Sequence, residues 1–263
     1  MKRTDKKSYY LFSPWLRMFH WTMVVCMFLL FWTGIYIGNP WFMNMFGLDE
    51  TFGIMSMRTI RRIHIFAGFV LAGVFILRVY GAILNPGDRL FPKVRQKLFW
   101  TGITDTILHY LFIPHKNEKI YLRNSLARIS YTGIYTLIFI EIVTGLAMYL
   151  PVTPNTFLAL VFMPVNYLLG EYGTHVVHHI VAWGLAVFAF LHVYMAFRSD
   201  ITEDNGEVSS MVSGYKYFAE DAADVDDLMT SEEKKIAKIE ADKKKAAEDL
   251  EKKLAAEAAK GAD

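Results

Sequence analysis

His178 and His192 stand fourteen residues apart, and the chain between them is almost wholly apolar apart from His179. At about 100° per residue this spacing falls roughly 40° short of four whole helical turns, so both imidazoles leave one face of a helix. Their separation along the axis is about 21 Å. That fits inside a hydrocarbon layer of roughly 30 Å with one His near each surface. Imidazoles inside a membrane are costly and usually have a function or a partner. Two on one face near opposite surfaces match two haem irons stacked across a bilayer. The plainer alternative is a His that hydrogen-bonds a neighbouring helix. His179, about 140° around the helix from His192, fits that lesser role.

An iron held by two imidazoles needs a ligand from each side, so other helices must supply two more. Four apolar runs are near spanning length, roughly Trp15 to Tyr36, Ile63 to Leu84, Ile129 to Leu150 and Val176 to Phe197. His20 stands near the start of the first run and His64 at the start of the second. Successive spans run in opposite directions, so His20 matches His192 in depth and His64 matches His178. Two pairs on opposite sides of the membrane are what two bis-His b-type haems require.

The basic residues set the orientation. Lys2, Arg3, Lys6, Lys7 and Arg17 precede or open the first span, and the loop from Asn85 to Arg128 carries eight basic residues against three acids. The other two loops carry only Arg58, Arg61 and Arg62. The positive-inside rule then puts both termini and the middle loop in the cytoplasm, with His20 and His192 on that side and His64 and His178 on the outer side. Arg17, Arg61, Arg62 and Arg78 are candidates for haem propionates through charge-assisted hydrogen bonds. Each also suits the ordinary role of an Arg at a helix end, snorkelling to lipid phosphate.

A hydrophobic content of 54% excludes an ordinary soluble domain. The one cysteine, Cys26, excludes an intrachain disulfide, a cluster held by cysteine thiolates and a Cys-x-x-Cys-His attachment, so haem would be held non-covalently. The first apolar run is too long for a cleaved signal peptide and reads as a permanent span. Glu141 falls near the middle of the third span beside Thr144-Gly145, where it suits either a proton or quinone role or an interhelical hydrogen bond from the neutral acid. Phe99-Trp100 and Leu108 to Ile113 read as an amphipathic segment lying on the surface, with His109 and His115 solvated there. Phe157 to Leu169, interrupted by Pro164, reads as a re-entrant or docking element on the outer side. From Glu220 the chain carries fourteen acids and nine bases and no wide apolar stripe.

The expected fold is therefore all-α. Residues 1–218 form a transmembrane four-helix bundle holding haem between helices, and 219–263 form a charged cytoplasmic tail, helical or disordered. A haem-free transporter or proton relay built on the His and Glu141 is the rival from a different class.

Several motifs resemble a known family. They are Arg17-Met18-Phe19-His20-Trp21 followed by Thr33-Gly34, then His178-His179-Ile180 with Trp183, Phe188 and His192, and the run Ser209 to Tyr215. Over roughly Tyr10 to Phe218 these are similar to the b-type cytochrome subunit of membrane-bound nickel–iron hydrogenases. The resemblance implies a subunit of the bacterial cytoplasmic membrane, without hydrogen chemistry of its own. Its implied partners are a membrane-anchored iron–sulfur small subunit, a nickel–iron large subunit and the lipid bilayer, with no nucleic acid. The outer haem, on His64 and His178, would receive electrons, and the inner haem, on His20 and His192, would deliver them to menaquinone or ubiquinone. His175 departs from the Arg expected there, and Glu141 from an uncharged polar residue. The same scaffold could instead serve a formate dehydrogenase or another periplasmic oxidoreductase, because fold does not determine the soluble partner.

Overall fold

A computed structural model describes residues 6–39, 56–84, 92, 94–111, 113, 125–149 and 156–218. In chain order the elements are β1 (Lys7–Tyr10), α1 (Pro14–Gly38), α2 (Met57–Leu84), α3 (Lys97–Tyr110), α4 (Ser125–Tyr149), α5 (Phe157–Glu203), α6 (Glu207–Ser213) and β2 (Tyr215–Phe218). Among the described residues α1, α2, α4 and α5 are long and apolar enough to cross a membrane, as the four apolar runs lead one to expect. The tail at 219–263, the loop at 40–55 and His115 lie outside the described residues.

Helix α1 starts where Pro14 can occupy the first turn without wasting a donor, capped by the Ser13 hydroxyl accepting from the Leu16 N–H. Met23 and Cys26 of α1, Leu71 of α2, Ile134 and Ile138 of α4, and Val181 and Leu185 of α5 form one buried apolar layer across the bundle. Side chains such as Phe66, Ile76, Phe139 and Phe190 stay exposed on the outside. In a bilayer these are lipid-facing, so the helices cohere through packing and interhelical hydrogen bonds rather than through hydrophobic burial. Helix α3 lies where the amphipathic segment of the middle loop is expected.

Helix α5 differs from the expected fourth span. It begins at Phe157 rather than Val176, so the stretch read as re-entrant is helical. Pro164 lies inside it, and the helix is broken at Gly170, whose φ of 71° and ψ of 161° are open in practice only to glycine. Thr174, fully buried, places Oγ1 2.9 Å from both the Gly170 carbonyl and Asn166 Oδ1. Asn166 in turn donates to the Ala147 carbonyl at 2.8 Å, tying residues 157–169 to the end of α4. The break thus has its freed polar groups satisfied inside the protein, as a membrane requires.

The two ends of the described chain meet. Strands β1 and β2 pair antiparallel, Lys7 opposite Phe218 and Tyr10 opposite Tyr215. The indole of Trp21 donates to the Met211 carbonyl at 2.9 Å, and Arg17 donates to the Val212 carbonyl. Gly214 makes the turn between α6 and β2 with φ of 89°, and its N–H donates to the Ser210 carbonyl.

Candidate functional site

Four of the eight imidazoles form two facing pairs between helices. Beside the strands, His20 of α1 faces His192 of α5 with ring centres 6.3 Å apart and planes at 56°. At the far end, His64 of α2 faces His178 of α5 at 6.5 Å and 67°. Residues 171–203 are one uninterrupted helical stretch, so α5 supplies one ring to each pair about 21 Å apart along its axis. The apolar layer lies between the pairs: Val181 and Leu185 fall between His178 and His192, and Met23 and Cys26 follow His20.

The spacing is that of a metal held between two rings. An imidazole nitrogen bonds a first-row metal at about 2 Å and the ring centre lies about 1.2 Å further back, so rings on either side of one metal would have centres about 6.4 Å apart. Among the described residues no three His, Cys, Asp or Glu side chains converge to hold an ion. Two facing imidazoles, with no such cluster among the described residues, would suit a haem iron, whose remaining ligands the porphyrin supplies. Nδ1 of His20 is buried without a partner among the described residues. The donor set and the spacing both fit haem.

The surroundings of the two pairs differ. Near the strands, the His192 ring stacks on Phe188 at 5.6 Å and 10°, and His20 meets the edge of Trp21 at 5.4 Å. At the far end each ring has a threonine. Thr33 Oγ1 is 2.8 Å from His64 Nδ1, and Thr144 Oγ1 is 3.0 Å from His178 Nδ1. In both cases a glycine follows the threonine and faces the same ring. A Cβ on Gly34 would lie 3.5 Å from His64 Cε1, and one on Gly145 3.2 Å from His178 Cε1. Both Thr-Gly steps are visible in the sequence. Thr33-Gly34 enters there as part of a family motif and Thr144-Gly145 as the flank of Glu141, and neither carries a sign of the ring it faces.

Glu141 Oε1 lies 3.1 Å from His178 Nε2, while its Oε2 is buried without a partner among the described residues. This is an interhelical contact from α4 to α5, the plainer of its two expected roles. Of the four candidate arginines, Arg17 turns one guanidinium nitrogen to the Val212 carbonyl and buries Nε without a partner among the described residues. Arg61 and Arg62 are exposed at the end of α2 next to His64. Arg78 is buried and donates from Nε to the Tyr135 hydroxyl at 3.1 Å, its guanidinium over that ring. His175 and His179 bond the carbonyls one turn back, of Glu171 and His175. His109 lies on α3.

Residues 11–214 match the family model described as prokaryotic cytochrome b561. The chain is 31% identical over 226 residues to a protein of Escherichia coli (strain K12) named probable Ni/Fe-hydrogenase 1 B-type cytochrome subunit, covering 82% of this chain and 93% of that one. It is 31% identical over 230 residues to the probable Ni/Fe-hydrogenase B-type cytochrome subunit of Azotobacter vinelandii, covering 85% of this chain and 94% of that one. A protein of the same name from Rhodobacter capsulatus is 27% identical over 226 residues, 82% of this chain and 84% of that one.

Proposed function

The chain belongs to the prokaryotic cytochrome b561 family, and from that premise we propose that it carries electrons from a periplasmic nickel–iron hydrogenase to quinone in the bacterial inner membrane. It is an integral membrane b-type cytochrome that works in electron transfer. The observation that carries the fuller reading is the pair of facing imidazoles at each end of one stretch of α5.

His20 with His192, and His64 with His178, would each hold one non-covalent b haem. Haem bound there supplies one-electron transfer through its iron. The chain's own residues hold the rings in facing positions, keep the middle of the bundle dry with the Met23 to Leu185 layer, and space the two sites along α5. The basic residues of the middle loop and the N-terminal segment support a cytoplasmic side for the His20–His192 end. The His64–His178 end would then meet the hydrogenase's iron–sulfur small subunit, itself bound to the nickel–iron large subunit. Menaquinone or ubiquinone would be reduced near His20 and His192, where protons come from the cytoplasm. Arg17, Arg61, Arg62 and Arg78 would be the candidates for the propionates; Arg78 Nε also donates to the Tyr135 hydroxyl.

The test is a dithionite-reduced minus oxidised spectrum of the purified membrane protein, with haem and protein quantified on one sample and copurifying subunits identified. Two b haems per chain and a nickel–iron large subunit support the proposal. One haem removes one of the two pairs, and a molybdopterin partner replaces the hydrogenase.

A further inference from the structure

We infer that Thr33 and Thr144 are positioning residues that fix the protonation of His64 and His178 and hold the iron between them at a lower reduction potential than the iron between His20 and His192. This rests on the proposed reading of the four His as haem ligands.

A threonine hydroxyl has one proton to donate. Thr33 Oγ1 lies 2.6 Å from the Leu29 carbonyl one turn back, and Thr144 Oγ1 lies 2.8 Å from the Ile140 carbonyl. Those carbonyls can only accept, so they take the hydroxyl protons, a bond that threonine commonly makes within its own helix. Each oxygen is then left as an acceptor towards the imidazole. With the rings as donors, the contacts of 2.8 Å and 3.0 Å put the proton of His64 and His178 on Nδ1. That leaves the Nε2 lone pair of His64 for the metal, while that of His178 is shared with the Glu141 carboxyl, whose Oε1 stands 3.1 Å away. Gly34 and Gly145 let the rings lie against their helices in this register; at Gly145 an added Cβ would stand only 3.2 Å from the ring.

An Nδ1–H that donates to an oxygen leaves its ring a stronger donor to the metal. A stronger donor stabilises ferric over ferrous iron and lowers the reduction potential. Both far-end rings have such an acceptor. Among the described residues neither His20 nor His192 shows a ring hydrogen bond; they have Trp21 and Phe188 instead. The asymmetry makes electron transfer from the His64–His178 side to the His20–His192 side energetically downhill. The Thr-Gly step recurs on α1 and α4, each time against the imidazole of the helix that follows, which is why the two threonines act together.

The experiment uses the full-length protein with its partner subunits in detergent, carrying Thr33→Val, Thr144→Val, Thr33→Ser or Thr144→Ser. Haem per chain is measured, followed by an optical redox titration and low-temperature electron paramagnetic resonance. The expected result is that each Val variant moves the lower of two potentials upward and changes the ferric signal of that haem alone, while the Ser variants match the parent. If a Val variant loses one haem, retention of that haem at the parent potential in the Ser variant supports the same conclusion. Val variants that keep both haems with the lower potential unmoved overturn it, as do Ser variants that shift as far as Val. Fewer than two haems in the parent protein overturns the ligand reading itself.

Discussion

Glu141 Oε1 approaches His178 Nε2 at 3.1 Å, on the nitrogen that faces away from Thr144. The carboxyl and a metal would therefore compete for one lone pair. An interhelical hydrogen bond in a membrane averages about 0.6 kcal/mol, or roughly threefold in an equilibrium constant. Glu141→Leu is expected to hold the His178-bound haem up to about threefold more tightly, read as slower haem loss to excess apomyoglobin. Faster loss would show that the carboxyl supports the haem instead of competing with it.

Replacing the proposed ligands one at a time tests the two sites separately. His178→Ala or His64→Ala should leave one haem per chain and stop quinone reduction, with hydrogen oxidation by an artificial dye intact. His20→Ala should remove the other haem. Two haems retained in His178→Ala would sink the assignment.

The break in α5 offers a pair of substitutions with opposite signs. Gly170 has backbone angles that other residues adopt at a cost of about 1–3 kcal/mol, so Gly170→Ala should lower the thermal midpoint. Gly173 is helical and an added Cβ would meet Leu169 at an ordinary 3.5 Å. Gly173→Ala should be neutral or stabilising by up to about 1 kcal/mol. Equal effects would mean that the break is not held by the Asn166 and Thr174 contacts.

At the strand end, a Cβ on Gly214 would stand 2.7 Å from Tyr10 Cε2 and 2.9 Å from the Phe12 carbonyl oxygen, on a backbone with φ of 89°. The second contact is backbone and cannot swing aside. Gly214→Ala should part β1 from β2 and expose the Tyr215 region to limited proteolysis. Trp21→Phe, which loses only the bond to Met211, should cost about 1 kcal/mol and leave the strands protected. A protease pattern unchanged in Gly214→Ala would refute the coupling.

Four spans were legible because apolar runs of spanning length are rare in soluble chains, and so was the depth matching of His20 with His192 and of His64 with His178. The true start of α5 was not. Pro164 and Gly170 read as interruptions, and what joins the two parts is Asn166 reaching Ala147 and Thr174, contacts that leave no periodic trace. Thr33 and Thr144 were hidden for a similar reason: a span threonine usually bonds its own helix, and these do so while also meeting a ring. The pairing of β1 with β2 joins four-residue segments from opposite ends of the chain, too short and too distant for any local pattern to announce.

Because α5 supplies one member of each imidazole pair, neither pair can exist until α5 has been made. His20 leaves the ribosome early and waits for His192; at roughly 5–20 residues per second the delay is about 10–30 s. His64 waits likewise for His178. The early spans must therefore persist in the bilayer as incomplete half-sites, and cofactor delivery is confined to the period after the last span is inserted. The strand clasp, whose second half follows α5, can close only after that helix has been made.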